Sequence, residues 1–190
     1  MDTAAPTGAR ARTRRAILDA ALSVLSKNVG ASLADIAAEA GVGRTTIHRH
    51  FPERSDLLAA LGTHLLDQIE AATQRARLEE GPAMEALDRV CQEYFELGEG
   101  LWFAFENPQI TEWTDWESET ESDRALARVV ERGHAEGTID PELPAAWVVQ
   151  MLWAVLYAAW QHTRENSASR HTAMTLCLRT LRKSIAATGA

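Results

Sequence analysis

Residues 32–51 read SLADIAAEAGVGRTTIHRHF. Ser32 stands where a helix N-cap is wanted, and Asp35, three places on, completes a capping box: each side chain accepts an N–H that the first helical turn leaves unsatisfied. The helix LADIAAEA is short and stops at Gly41. A second short helix runs from about Arg44 to His50 and ends before Pro52, because proline disfavours helix in the residue that precedes it. Two short helices joined by a tight turn need small residues where they touch, and Ala37 and Ala40 supply them. Leu33, Ile36, Val42 and Ile47 then face inward. This is the spacing of a helix-turn-helix, whose second helix enters the major groove. Its outer face shows Arg44, Thr45, His48 and Arg49, side chains that donate to base edges and phosphates. An ordinary αα corner with solvated charges shares this spacing, so the flanking chain has to decide.

On the N-terminal side, Ile17, Ala20, Ala21, Val24 and Leu25 recur at helical spacing from Thr13 onward, after a small, polar stretch read as a flexible arm, residues 1–10. On the other side a long helix is predicted from Arg54 or Ser55 to about Glu80, where Gly81-Pro82 breaks it. Further helices are predicted through Met84–Leu97, Arg124–Glu136, Ala145 to about Glu165, and about Ala168–Ala187. Residues 98–120, with two glycines, Pro108 and a mixture of aromatics and acids, read as irregular, made of short helical pieces. No segment sustains period-two alternation. The expectation is an all-α chain of about nine helices: a DNA-binding helix-turn-helix domain over 1–55 and a second helical domain over 56–190.

Charge supports that division. The net charge of −8 hides a split. Residues 1–61 hold eight Lys/Arg against six Asp/Glu and residues 62–190 eleven against twenty-one, so the first third suits a more acidic partner than the rest. Arg12, Arg14 and Arg15 add attraction along a phosphate backbone that does not depend on sequence. The start, MDTAAPTGARARTRR, has no apolar stretch before a cleavage site, and the apolar run Ala145–Trp160 falls short of a membrane span. The protein is therefore expected to be soluble and cytoplasmic, with no membrane partner.

Residues from about 13 to 58 resemble the DNA-binding domain of the TetR family of transcriptional regulators. The resemblance rests on Ser32, Ile36-Ala37, Ala40-Gly41-Val42, Thr46-Ile47, His50-Phe51-Pro52, Arg54 and Leu57-Leu58. The chain departs from the family pattern at His48, where a tyrosine is usual, at Arg54 for a lysine, and at Gly43 for a serine or threonine. The resemblance implies a dimeric, all-helical repressor that binds a near-palindromic operator in double-stranded DNA and whose residues 56–190 form a ligand-binding and dimerisation domain. Ser32, Thr46, His48, His50 and Arg54 would hold phosphates, and Arg44, Thr45 and Arg49 would read bases. Phe51 is read as core.

The ligand is sought in residues 90–123, which contain no Lys or Arg but ten acids and seven of the chain's twelve aromatics. Carboxylates beside indole faces stabilise a desolvated organic cation by charge and cation–π attraction. The candidates are Glu96, Glu99, Glu106, Trp102, Phe105, Trp113 and Trp116, with Trp153 and Tyr157 closing the pocket from the apolar helix. The plainer alternative is a solvated acidic face over an aromatic core. The expected inducer is lipophilic, aromatic or cationic, as in multidrug sensing; a neutral or anionic metabolite is the second reading, and the missing basic residues count against an anion.

Residues 145–187, an all-round apolar helix and an amphipathic one, are expected to form a homodimer interface, with Leu156 and Leu181 as positions in it. His48 and His50 point apart on a helix, and no Cys/His cluster has zinc spacing, so no metal and no cofactor is expected. Cys91 and Cys177 read as buried, inert thiols. No phosphate loop, dinucleotide fingerprint or nucleophile elbow is present, and an enzyme or carrier with a vestigial helix-turn-helix is the remote third reading.

Overall fold

The computed structural model describes residues 8–107 and 119–187. Among them are nine helices: α1 (Ala9–Leu25), α2 (Leu33–Glu39), α3 (Arg44–His50), α4 (Arg54–Arg75), α5 (Ala83–Glu96), α6 (Gly98–Glu106), α7 (Glu121–Ala135), α8 (Ala145–Glu165) and α9 (Arg170–Ile185). One isolated antiparallel bridge, Ile139 to Ala186, is the only extended pairing among the described residues. The architecture is all-α.

Two helix bounds differ from the sequence reading, and a third segment is resolved more finely. Helix α1 begins at Ala9, not Thr13, because the run ARAR is made of strong helix formers; residues 8–10 of the expected arm already belong to the turn and first turn of this helix. Helix α4 stops at Arg75, short of Glu80. Arg77 there takes the left-handed φ of 48°, and Arg89 of α5 reaches back to the exposed carbonyls, with N–H donors 2.8 Å from Ala76 O and 3.0 Å from Arg77 O. Within the stretch expected to hold short helical pieces, residues 98–106 form one such piece, the helix α6.

The chain groups into two compact units. The first holds α1, α2, α3, α4 up to Leu66, and α6 from Glu99. Its core joins Ile17, Leu18, Ala21 and Leu25 of α1 to Ile36 and Ala37 of α2, Ile47 of α3, Phe51, and Leu57, Leu61 and Leu65 of α4. Phe103 and Ala104 of α6 belong to the same cluster. Phe51 is 1% exposed, which places it in the core as expected. Arg54 braces the unit: its guanidinium donates to the carbonyls of Ala31 and Val29 in the connection from α1 to α2. A second cross-link joins α1 to α4, where His64 Nε2 lies 2.8 Å from Asp19 Oδ1.

The second unit holds the end of α4 from Asp67, then α5, α7, α8 and α9. Leu87, Val90 and Tyr94 of α5 are buried with Leu126, Val129 and Val130 of α7, Leu152 and Leu156 of α8, and Cys177 and Leu181 of α9. Leu156 and Leu181 are both 0% exposed within one protomer, so they are core residues here and not positions on an open face. Among the residues that α8 leaves exposed are Trp147, Gln150, Ala154 and Ala158, and among those of α9 are Thr172, Leu176, Arg179 and Lys183. Each set repeats every three or four residues and so forms one stripe along its helix. Cys91 and Cys177 are both buried and unbridged. No helix among the described residues is long and apolar enough to cross a membrane.

Candidate nucleic-acid interface

The α2–α3 pair is locked by local chemistry at every joint. Ser32 accepts the Asp35 N–H on Oγ at 3.3 Å, while Asp35 Oδ2 accepts the Ser32 N–H at 2.8 Å and its hydroxyl at 2.7 Å. The backbone N–H and then the hydroxyl of Ser32 hold the Asp35 carboxyl below the usual carboxylate range. At the other end of α2, Gly41 N–H donates to Ala38 O at 3.1 Å and Val42 N–H to Ala37 O at 2.9 Å. This is the Schellman pattern, and it requires the left-handed φ of 65° at Gly41, where a side chain would be strained. The chain leaves that turn extended at Gly43 and enters α3.

Helix α3 is anchored by one fully buried residue, Ile47. Arg44, Thr45, His48 and Arg49 are exposed, and Thr46 and His50 are half-buried beside α1. The basic side chains His48, Arg49 and His50 fill the last turn, where the helix dipole favours positive charge. An open cleft of about 660 Å³ lies between the start of α1 and α3, with Arg10, Thr13, Gly43, Thr46, Arg49 and His50 among its walls. Arg14 lies over the Phe51 ring, 5.0 Å from its centroid. Burial first, and then the charges of Arg10, Arg49 and Arg14, push the His50 imidazole below its ordinary pKa. Arg10, Arg49 and His50 thus put three cationic or protonatable groups on the walls of one cleft, with Arg14 close to His50, chemistry that suits an anion.

The other expected DNA contacts are placed less uniformly. Ser32 is exposed but its hydroxyl is engaged in the cap. His48 Nδ1 lies 3.4 Å from the Pro52 carbonyl. Arg54 is turned to the α1–α2 connection, a brace that no local pattern signals because its acceptors lie more than twenty residues away.

The expected ligand residues fall in two groups. Glu99, Trp102, Phe105 and Glu106 all lie on α6, in the first unit; the helix puts Glu99, Trp102 and Glu106 on one face, and Trp102 is half-buried. Glu96, Trp153 and Tyr157 belong to the second unit. Glu96 is exposed, 3.2 Å from Arg170. Trp153 and Tyr157 are half-buried on α8, and Trp153 stacks on Tyr94 with centroids 4.8 Å apart and planes at 8°. Trp113 and Trp116 lie outside the described residues. Sequence reasoning passed over the polar knot beneath that stack: Thr73 Oγ1 lies 2.7 Å from the Tyr94 hydroxyl and donates to Ser122 Oγ at 3.1 Å. Burial pushes the Tyr94 phenol well above its ordinary value. The one signal available was a tyrosine on the apolar face of α5, since a buried phenol needs a hydrogen-bond partner.

Known proteins are similar to this chain in sequence and fold. Residues 17–61 match the family described as bacterial regulatory proteins, tetR family. The HTH-type transcriptional repressor LfrR of Mycolicibacterium smegmatis is 41% identical over 161 residues, 84% of each chain. The crystal structure of the TetR-like transcriptional regulator LfrR from Mycobacterium smegmatis in complex with proflavine superposes with a TM-score of 0.72 at 35% identity, covering 90% of this chain and 95% of that one. The HTH-type transcriptional regulator NfxB of Pseudomonas aeruginosa is 29% identical over 77% of this chain and 80% of its own.

Proposed function

The chain belongs to the TetR family of bacterial regulatory proteins, and from that premise we propose that this DNA-binding regulator is a repressor released from its operator by a lipophilic aromatic cation. The observation that carries the DNA half is the exposed face of α3, where Arg44, Thr45 and Arg49 project from a helix anchored by Ile47. Arg44, Thr45 and Arg49 read bases. Thr46, His48 and His50 hold phosphates, joined by Arg10 across the cleft from α1; Ser32 and Arg54 take part through their backbone placement and the order they impose on the connection. Two copies meet successive major grooves about one helical turn apart.

The second copy docks on the exposed stripes of α8 and α9. Trp147 is 52% and Leu176 46% exposed in the protomer, and large apolar side chains left open on adjacent helices suit a partner surface. The cation half of the reading is supported by LfrR, whose structure holds proflavine, a planar aromatic cation at neutral pH, and by the acid- and aromatic-rich composition of residues 90–123. Helix α4 is continuous, with its first part in the first unit and its last turns in the second. A ligand that favours a displaced α4 by about 1–3 kcal/mol lowers operator affinity roughly 5- to 150-fold.

The test is titration with proflavine. It is expected to quench tryptophan fluorescence and release a bound operator duplex, while an aromatic sulfonate of equal size does neither. Release by neutral or anionic compounds alone would replace the cation with a metabolite; failure of the protein to bind any DNA selected from random sequence would remove the regulatory reading.

A pH dependence follows from His50. Its imidazole is held below its ordinary pKa in the free head, and a phosphate seated in the cleft raises it. Operator binding then takes up a proton, so affinity rises as pH falls through the ordinary histidine range and is lost as pH rises. One proton per head limits the slope to about tenfold per pH unit per head. Operator affinity measured between pH 8 and pH 6 at fixed ionic strength should show this slope, and His50→Gln should flatten it. Equal slopes in both proteins would place the phosphate elsewhere.

A further inference from the structure

At the end of α5 and the start of α9, the second unit holds a cation of its own on an aromatic face. Phe95, in the last turn of α5, is 2% exposed. Trp160 of α8 lies parallel to its ring, with planes at 9°, and donates its indole N–H to the Phe95 carbonyl at 3.3 Å. The guanidinium of Arg170 sits 5.1 Å from the Phe95 ring centroid. Its Nη2 lies 3.2 Å from Glu96 Oε2 and donates to the same Phe95 carbonyl at 3.5 Å. Phe95, Glu96 and Arg170 line a groove of about 360 Å³ together with Glu93, His171 and Met174. Glu93, on the same wall, is already paired with Arg75 at 2.7 Å, so Glu96 is the carboxylate that faces the cation.

The placement of Arg170 is electrostatically lopsided. As the first residue of α9 it stands at the positive end of that helix, where a cation is disfavoured. What offsets this is the far wall: the negative end of α5, its carbonyl, the Glu96 carboxylate and an aromatic face. Those are the groups an organic cation seeks. The occupant is held loosely, since Arg170 is 58% and Glu96 73% exposed, and an ion pair that wet contributes little. A flat aromatic cation makes the same charge contacts and packs apolar surface against Met174 and against the part of the Phe95 ring that the departing guanidinium uncovers.

We propose that the α5–α9 groove is a binding site for small aromatic cations, in which Arg170 is a tethered stand-in that the ligand displaces. The site stays reachable in a dimer built on the exposed stripes: Arg170, Met174, Cys177 and Leu181 share one face of α9, and Thr172, Leu176, Arg179 and Lys183 the opposite one. Displacement frees the start of α9 from the end of α5. The inference rests on the reading of the protein as a sensor of aromatic cations and names where such a cation sits.

The experiment titrates proflavine into full-length protein by equilibrium dialysis, comparing the unaltered chain with Arg170→Gln, Glu96→Gln and, as a control on the opposite face, Arg179→Gln. Arg170→Gln should bind about three- to tenfold more tightly because the competing cation is gone, and Glu96→Gln more weakly by a similar factor. Arg179→Gln should match the unaltered protein, and all three should keep its circular dichroism spectrum. Unchanged affinity and stoichiometry in both Arg170→Gln and Glu96→Gln would overturn the site while leaving the sensor reading intact. No binding to any of the four proteins would overturn the sensor reading and the site together.

Discussion

Arg44→Ala is expected to weaken specific operator binding at least about thirtyfold in a protein that still folds and dimerises. Arg44 is exposed on the first turn of α3 and takes no part in the core, which in this helix rests on Ile47. Loss of one good base contact costs about 1–3 kcal/mol per half-site. Two half-sites double this, a loss of at least about thirtyfold in affinity. Arg49→Ala should weaken binding too, and more of its effect should appear as a shallower salt dependence if its partner is a phosphate. Arg128→Ala on α7 removes the same charge from a surface ion pair with Glu121 and serves as the control. Gel shifts near those of the unaltered protein for both α3 variants would take that helix out of the groove.

Trp147→Glu and Leu176→Glu should convert the dimer to a folded monomer that no longer holds its operator. Both side chains are exposed in the protomer, so a carboxylate there is tolerated until a partner covers it. Across a two-fold interface each substitution occurs twice. A cost of about 2 kcal/mol per copy therefore weakens dimerisation by roughly three orders of magnitude. Glutamate at Leu156 or Leu181 should act differently, unfolding the protomer itself, because both are fully buried within it. Sedimentation equilibrium with circular dichroism distinguishes the two results. A dimer that survives both surface substitutions, or an unaltered protein that is monomeric at micromolar concentration, would contradict the interface.

The helix-turn-helix was readable because its determinants are local. Ser32 and Asp35 cap α2 within four residues, Gly41 sets the turn, and Ile36 and Ile47 sit at the spacing that faces the core. The features that escaped depend on distant partners. Arg54 carries the charge of a phosphate ligand, yet it braces the connection between α1 and α2. The early end of α4 depends on Arg89, more than ten residues further on. Gly98 and Gly100 blurred the bounds of α6 by diluting its pattern, while Leu101, Phe103 and Ala104 are buried along it. The acid and aromatic bias of residues 90–123 marked a region but not its partition: Glu96 faces a guanidinium in the second unit, while Glu99 and Glu106 ride on a helix of the first. Composition carries no information about that boundary.

Helix α6 has a consequence for how such proteins can be recombined. Phe103 and Ala104 complete the core built by Ile17, Leu61 and Leu65, although about forty residues of chain separate them from the nearest of these. A DNA-reading module cut from this chain at any single point before α5 therefore carries an unfinished interior. A gene fusion that grafts residues 1–66 onto a foreign sensor inherits whatever helix that sensor brings to the gap, with side chains shaped for another head. Exchange of operator specificity between relatives thus has two honest units of transfer: the outer face of α3 alone, substituted in place, or the head together with its returning helix.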